Sequence, residues 1–365
     1  GMPVENIYAD FTSFDLIREE NQKIIKQLTD MKFDVVIGNP PYQANDGSGA
    51  STDAAAPIYH KFVEQAQAIQ AKYVDMIMPS KWMVGGRTEL NSFRASMQQD
   101  KHLRIMIDCE DAASFFPNLH IDGGICYFLW DKLYDGKIDY TFITNDGTIN
   151  KNDTLVSSYS SYIIRDARII SILDKTNTGE KFSSIVSRTK PFGIRKDIFN
   201  NPDRYPDANL REERFKGSLK IYGVKGIKGG ARRTEGYINP AIATDRYRAI
   251  NKYKIFFTTT YSTNATIPPS AIKAMPQEIC TETFLLIGPF DNERERNNCF
   301  EYMQTRLFLF LLYYGHGTMQ VNQNVFDLIP LVDFSKSWAD AELYAKYGLT
   351  AKEIDFIESK INPMK

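Results

Sequence analysis

Four consecutive residues, Asn39, Pro40, Pro41 and Tyr42, carry the strongest chemical signal in this sequence. Each proline fixes its own φ and pushes the residue before it into an extended conformation, so Asn39 is presented on a rigid turn. Such a turn brings the Asn39 amide oxygen and the Pro40 carbonyl toward one point. Two converging acceptors suit an amine whose lone pair is delocalised into a ring, such as the exocyclic amine of a nucleobase. Holding its hydrogens out of the ring plane favours the pyramidal nitrogen of a transition state. Tyr42 supplies a face on which the base can stack, and chemistry on a base requires taking it out of the duplex. The competing reading is an ordinary strand-to-loop turn, but a chance match in a chain of this length is roughly one in a thousand.

The elements that must hold this turn alternate in type. "NIYADF" (residues 6–11) reads as a strand and "FDLIREENQKIIKQLTD" (14–30) as an amphipathic helix. "FDVVIG" runs as a strand straight into the prolines; "PIYHKFVEQAQAIQ" (57–70) is a helix, "YVDMIMP" a strand and "ELNSFRASMQQD" a helix. The pattern predicts an α/β fold with a doubly wound, parallel sheet, in which ligands sit beyond the carboxyl ends of strands, the place Asn39 occupies. "LRIMID" and "GGICYFLW" have only a loop between them, which predicts an antiparallel pair at one edge of the sheet. Further on, "NDGTINKND" (145–153) reads as a hairpin and loop, and residues 157–176 as a helical connector. A basic region of irregular mixed structure comes next, then a single helix over 292–314. Two short helices close the chain, with Thr350 and Glu353 spaced as a capping box. The domains expected are 1–155, 156–335 and a helical tail, 336–365.

The chain has 365 residues, 43% hydrophobic and 24% charged, which places it among globular proteins of about two domains. No apolar run approaches the ~20 residues needed to span a bilayer and no signal pattern is seen, so the expectation is a cytoplasmic protein with no membrane partner. Cys109, Cys126, Cys280 and Cys299 lack the close spacing of metal or redox sites, and no metal is expected. The net charge of -1 conceals an asymmetry: residues 181–254 hold 18 Lys and Arg against 7 Asp and Glu, a net +11, leaving 26 against 38, or -12, elsewhere. A concentrated basic stretch is the electrostatic footprint of a polyanion binder, although a solvated face gives the same count. Within it "SRTKPFGIRK" and "YGVKGIKGGARR" mix cations with glycines and aromatics. Arg188, Lys190, Arg195, Lys196, Lys225, Lys228, Arg232 and Arg233 are the candidate DNA-binding residues, since such side chains supply phosphate affinity and an Arg fork can read guanine.

"FDVVIGNPPYQ", with "PIYHKFV", "YVDMIMPSKWMVGG", "FRASM" and "FFPNLHIDGGICYFLW", resembles the amino-methylating DNA methyltransferases, specifically the adenine-modifying part of type II restriction-modification enzymes. "TETFLLIGPF", "YMQTRLFLFLLYY" and "LYAKYGLTAKEIDFIES" are similar to the target-recognition and tail regions of those enzymes. The resemblance implies a Rossmann-like methyltransferase sheet joined to a mixed α/β target-recognition domain, with S-adenosylmethionine as donor and duplex DNA as partner. It implies that Asp10 and Phe11 meet the adenine ring of the donor, though Asp10 equally suits a strand-end cap. It also implies that Phe116 packs against the flipped base, a place for which Phe115 competes. The family's glycine-rich loop and its ribose-binding acid are not found upstream of "NIYADF". The sheet is therefore expected to be partial, lacking its first strands, cofactor binding by this chain is expected to be weak, and an upstream segment or subunit is expected to supply the cofactor loop and a nuclease.

Three functions follow. The first is the methyltransferase and recognition portion of a restriction-modification enzyme acting on the adenine amino group in duplex DNA. The second is a DNA-recognition module without transfer activity, favoured by the missing glycine loop. The third is a methyltransferase for RNA or protein glutamine, against which the large basic region argues.

Overall fold

A computed structural model of the chain describes residues 30, 32–43, 56–84, 88–116, 121, 123–155, 159, 162–228, 230–260, 271–315 and 320–361. The strand expected at 6–11 and the helix expected at 14–30, all but Asp30, lie outside the described residues. The chain divides into two compact units, one of residues 1–157 and 162–167, the other of 158–161 and 168–365.

The first unit is built on a six-stranded sheet of order β1-β2-β4-β3-β5-β6. Its strands are β1 (Val35–Gly38), β2 (Tyr73–Pro79), β3 (Leu103–Cys109), β4 (Ile125–Asp131), β5 (Asp139–Ile143) and β6 (Ile149–Asn152). β1 pairs with β2 and β3 with β5 in parallel, while β4 runs antiparallel between β2 and β3, with Cys126 opposite both Met78 and Asp108. The antiparallel pairing of β3 with β4 is as expected; its place is not. β4 is an inner strand rather than an edge; Cys126, Phe128 and Trp130 are buried on one face, and Tyr127 and Leu129 on the other are half-buried. β5 and β6 form a hairpin whose turn, with Gly147 at φ 76°, and second strand lie in the 145–153 stretch expected to turn, while its first strand precedes it.

Helices α1 (Tyr59–Ala68) and α2 (Asn91–Gln99) bury apolar residues at helical spacing, Tyr59, Phe62, Val63 and Ala66 from the first and Phe93 and Met97 from the second. All of these but Phe62 pack with Trp82, Met76 and Phe128 into the core of the unit. The outer edge of β1 is paired with no described residue, and on it Val35 is 51% and Ile37 76% exposed.

In the second unit the basic region is more regular than its composition suggests. It contains a hairpin of two nine-residue strands, β7 (Leu219–Ile227) and β8 (Gly230–Ile238), beside which the short β11 (Glu278–Cys280) runs parallel to β7. Glycines and lysines hide the two-residue period there, which is legible only at the buried Leu219 and Ile221. A second sheet has the order β10-β9-β12, from Ile272–Ala274, Tyr253–Thr258 and Phe284–Phe290. The single helix expected at 292–314 is two, α3 (Glu293–Tyr302) and α4 (Arg306–Gly315). The break is made by side chains. Thr305 donates to the Tyr302 carbonyl at 2.8 Å, and the Asp340 carboxylate accepts from the amides of Arg306 and Leu307 at 3.0 and 3.1 Å, capping a fresh start. α5 (Asp340–Lys346) and α6 (Ala351–Lys360) close the chain, the latter with the reciprocal capping box between Thr350 and Glu353.

Candidate functional site

The Asn39 turn leaves β1 at its carboxyl end and is pinned at once. The Tyr42 carbonyl accepts from the Ile58 amide at 3.2 Å, and Gln43 bridges to Pro57, which ties the turn to the entrance of α1. Asn39 is exposed, Pro40 buried, and Pro41 and Tyr42 half-buried. Beside them a Cβ on Gly38 would meet nothing within 4 Å. Burial raises the Tyr42 phenol, an effect that its hydrogen bond with the Asn39 side chain partly offsets. The two polar side chains of the motif therefore orient each other.

The sequence also singled out Phe116, and it comes close. Cys109, Ala112 and Ile125 form a small apolar cluster against which both Tyr42 and Phe116 pack, with Ile77 and Ile121 around them. Phe115 takes a different place: it is 42% exposed, with its ring edge-on to Tyr127 at 6.0 Å. Phe116 is thus the aromatic that shares a cluster with the motif. Asp10 and Phe11 lie outside the described residues.

Behind this cluster sits a polar network that sequence reasoning did not find. Asp108, fully buried near the end of β3, accepts from Ser80 Oγ at 2.6 Å, Tyr140 OH at 2.7 Å, and Arg165 Nε and Nη2 at 2.6 and 2.7 Å. Arg165 Nη1 donates in turn to the Gly123 carbonyl at 2.9 Å. Burial alone would lower the Arg165 pKa, but the Asp108 carboxylate reverses this and holds it above its ordinary value. The network joins the carboxyl ends of β2 and β3 and the start of β5 to the loop that carries Phe116. No spacing in the sequence signals it, because its four side chains are brought together only by strand order. Gly124 closes the same loop: it adopts φ +80°, and a Cβ there would lie 2.0 Å from the Cys109 carbonyl.

Two thiols border the site and neither is poised to react. Burial, with Asp108 adding to it, pushes Cys109 up to about 11 and Cys126 up to about 12, so both stay protonated near neutral pH. All four cysteines are free and buried. Among the described residues no three His, Cys, Asp or Glu side chains are grouped to hold a metal ion.

The candidate DNA-binding residues divide in two. Arg188, Arg195 and Lys196 are exposed, while Lys190 pairs with Glu282 at 3.3 Å, and the same Glu282 accepts from the Lys196 amide. Lys225, Lys228, Arg232 and Arg233 are all exposed and lie on the outer half of the β7–β8 hairpin. Asn200, on the turn of helix that follows Lys196, accepts from the Gly226 amide at 2.8 Å and links the two groups.

The site is thus an Asn-Pro-Pro-Tyr turn beyond a parallel strand of a mixed α/β sheet, and part of the chain that carries it is similar to known proteins. Residues 4–116 match the model of the Eco57I restriction-modification methylase family. An adenine-specific methylase of Mycoplasma pneumoniae, itself uncharacterised, is 41% identical over 107 residues, 29% of this chain and 25% of that protein. The chain thus spans about a quarter of the length of that curated relative. Among solved structures, the type IIL restriction-modification enzyme MmeI in complex with DNA aligns over 96% of this chain and 57% of its own, at 8% identity and a TM-score of 0.47. The type IIG restriction endonuclease BpuSI aligns over 92% and 50%, at 11% identity and a TM-score of 0.33. No helix among the described residues is long and apolar enough to cross a membrane.

Proposed function

We propose that this chain is the methyltransferase and target-recognition portion of a restriction-modification enzyme that methylates the adenine amino group in duplex DNA. The observation that carries the reading is the turn at the carboxyl end of β1, where the exposed Asn39, the buried Pro40 and Tyr42 stand together and Tyr42 shares an apolar cluster with Phe116. The Asn39 amide oxygen and the Pro40 carbonyl accept the two hydrogens of the adenine amine and localise its lone pair on nitrogen. Tyr42 and Phe116 receive the base once it has left the stack, and the apolar cluster beneath them keeps water from competing for the two acceptors. S-adenosylmethionine supplies an electrophilic methyl group when bound. The open space beside Gly38 suits a donor approaching Asn39, and Asp10 and Phe11 are the residues proposed to meet its adenine end. The exposed cations of the second unit supply phosphate affinity for the duplex.

The test is transfer of a radiolabelled methyl group by the full-length protein to mixed-sequence duplex DNA, with the product nucleosides resolved by mass spectrometry. N6-methyladenine that disappears in Asn39→Ala is expected. Methyl groups on cytosine, on RNA or on protein glutamine, or transfer indifferent to Asn39, would overturn the reading. Salt-sensitive DNA binding with no transfer by the full-length protein would leave a recognition module in its place.

A further inference from the structure

The outer half of the β7–β8 hairpin has features that the fold itself does not require. β11 accompanies β7 only along Lys220, Ile221 and Tyr222, so beyond Tyr222 the three-stranded sheet thins to a two-stranded ribbon. Residues directly opposite in its register share a face. One face begins packed, with Ile221 in the core and Gly223 and Gly236 against the Phe199 ring, and emerges carrying Lys225 opposite Arg232, then Ile227 opposite Gly230. Like charges directly opposite each other in a sheet are destabilising, and neither Lys225 nor Arg232 forms an ion pair among the described residues. The one acid of the hairpin, Glu235, is engaged by Lys220 at 2.9 Å. Ile227, at the end of the same face, is 55% exposed.

The glycines sharpen this. Gly230 lies in a strand at an ordinary φ, and a Cβ there would meet nothing within 4 Å; at Gly226 a Cβ would meet only Asn200 Oδ1, at 3.5 Å. Glycine weakens a strand and marks places where another chain or a ligand comes close. Neither a strained backbone nor a crowded neighbour explains these two, and Ala231 adds a third small residue at the same end. The result is a slim, cationic ribbon with an apolar tip. The major groove of B-DNA admits a two-stranded ribbon, and there Lys and Arg meet guanine O6 and N7 while an aliphatic side chain meets the thymine methyl.

We propose that the outer half of the β7–β8 hairpin enters the major groove of the target duplex, with Lys225 and Arg232 reading base edges and Ile227 touching a thymine methyl. The proposal rests on the reading of the chain as part of a DNA-modifying enzyme and assigns base readout to one element of it. The small residues at 226, 230 and 231 let the ribbon backbone approach the floor of the groove.

Gly230→Thr tests this directly, because a branched residue in that open strand position leaves the fold intact or firmer while thickening the ribbon. The full-length protein and the variant are compared by melting temperature and by gel shift on a randomised duplex pool. Dimethyl sulfate interference is then read in the bound fraction, where methylation of guanine N7 reports the major groove and of adenine N3 the minor groove. Expected are an unchanged or higher melting temperature, binding weakened about tenfold or more, and interference at guanine N7 that fades in Arg232→Gln. Wild-type affinity in Gly230→Thr, or interference at adenine N3 alone, would overturn the ribbon while leaving DNA methylation standing. No duplex binding by the unaltered protein would sink both. Should Gly230→Thr melt lower, the pair Lys225→Gln and Arg232→Gln carries the same comparison, and undiminished N7 interference there overturns the proposal.

Discussion

Arg165 and Asp108 form a two-pronged buried ion pair at 2.6 and 2.7 Å, and the third guanidinium nitrogen reaches the Gly123 carbonyl. Asp108 lies just before the loop that carries Phe116 and Gly123 lies at its end. A single guanidinium therefore closes the base of that loop.

Removing one partner leaves a charge stranded in the interior, so Arg165→Met is expected to lower the free energy of unfolding by about 3–5 kcal/mol. Replacing both partners, as in Arg165→Met with Asp108→Leu, should recover a good part of that loss, although the Ser80 and Tyr140 hydroxyls would then lack their acceptor. Urea denaturation of the single and double variants measures this. Equal losses in both would mean that the pair is not the origin of the effect.

Glu353 gives a pH dependence whose sign is fixed. Burial alone would raise its carboxyl, but Lys175 at 2.6 Å and the capping bonds from Thr350 win and hold it down at about 2. A folded pKa below the ordinary 4.5 means that stability is fully present above that value and is lost as the pH falls toward about 2. Glu353→Gln keeps the geometry of the cap and removes the charge. It should cost about 1–2 kcal/mol near pH 7, allowing for solvent screening, and progressively less below about pH 4. Denaturation of both proteins across that range checks it, and a pH-independent difference would refute it.

Val35 and Ile37 stand exposed on β1, whose outer edge is paired with no described residue. A flat apolar edge pairs readily with other chains, so Ile37→Lys is expected to suppress self-association without altering the circular dichroism spectrum. Light scattering at several protein concentrations measures this; unchanged scattering would mean that the edge is covered in solution.

How much of this was legible follows from what each feature depends on. The Asn39 turn, the helices at Tyr59 and Asn91 and the Thr350 cap are local, written in prolines, periodicity and a three-residue spacing. Phe116 could be named from resemblance, but its preference over Phe115 for the cluster beside Tyr42 needed the sheet. The inner place of β4, the Asp340 cap on α4 and the Asp108 network join residues from 16 to 58 positions apart, whose nearness no window of sequence contains. The β7–β8 ribbon escaped for another reason: the small and charged residues that suit it to a partner are those that blur a strand signal.

The position of β4 also has a consequence in time. β2 and β3 do not touch in the sheet; each is joined to the other only through β4, which is later in the chain than both. During synthesis the β1–β2 pair and the β3 strand emerge as separate pieces, each with a raw inner edge. Nothing can unite them until residue 131 has cleared the ribosome. Arg165, which fastens Asp108, arrives later still. The nascent chain thus holds the inner edge of β2 unfinished from residue 79 to residue 131, and a ribosome stalled before Ile125 would present a chaperone with two such edges at once.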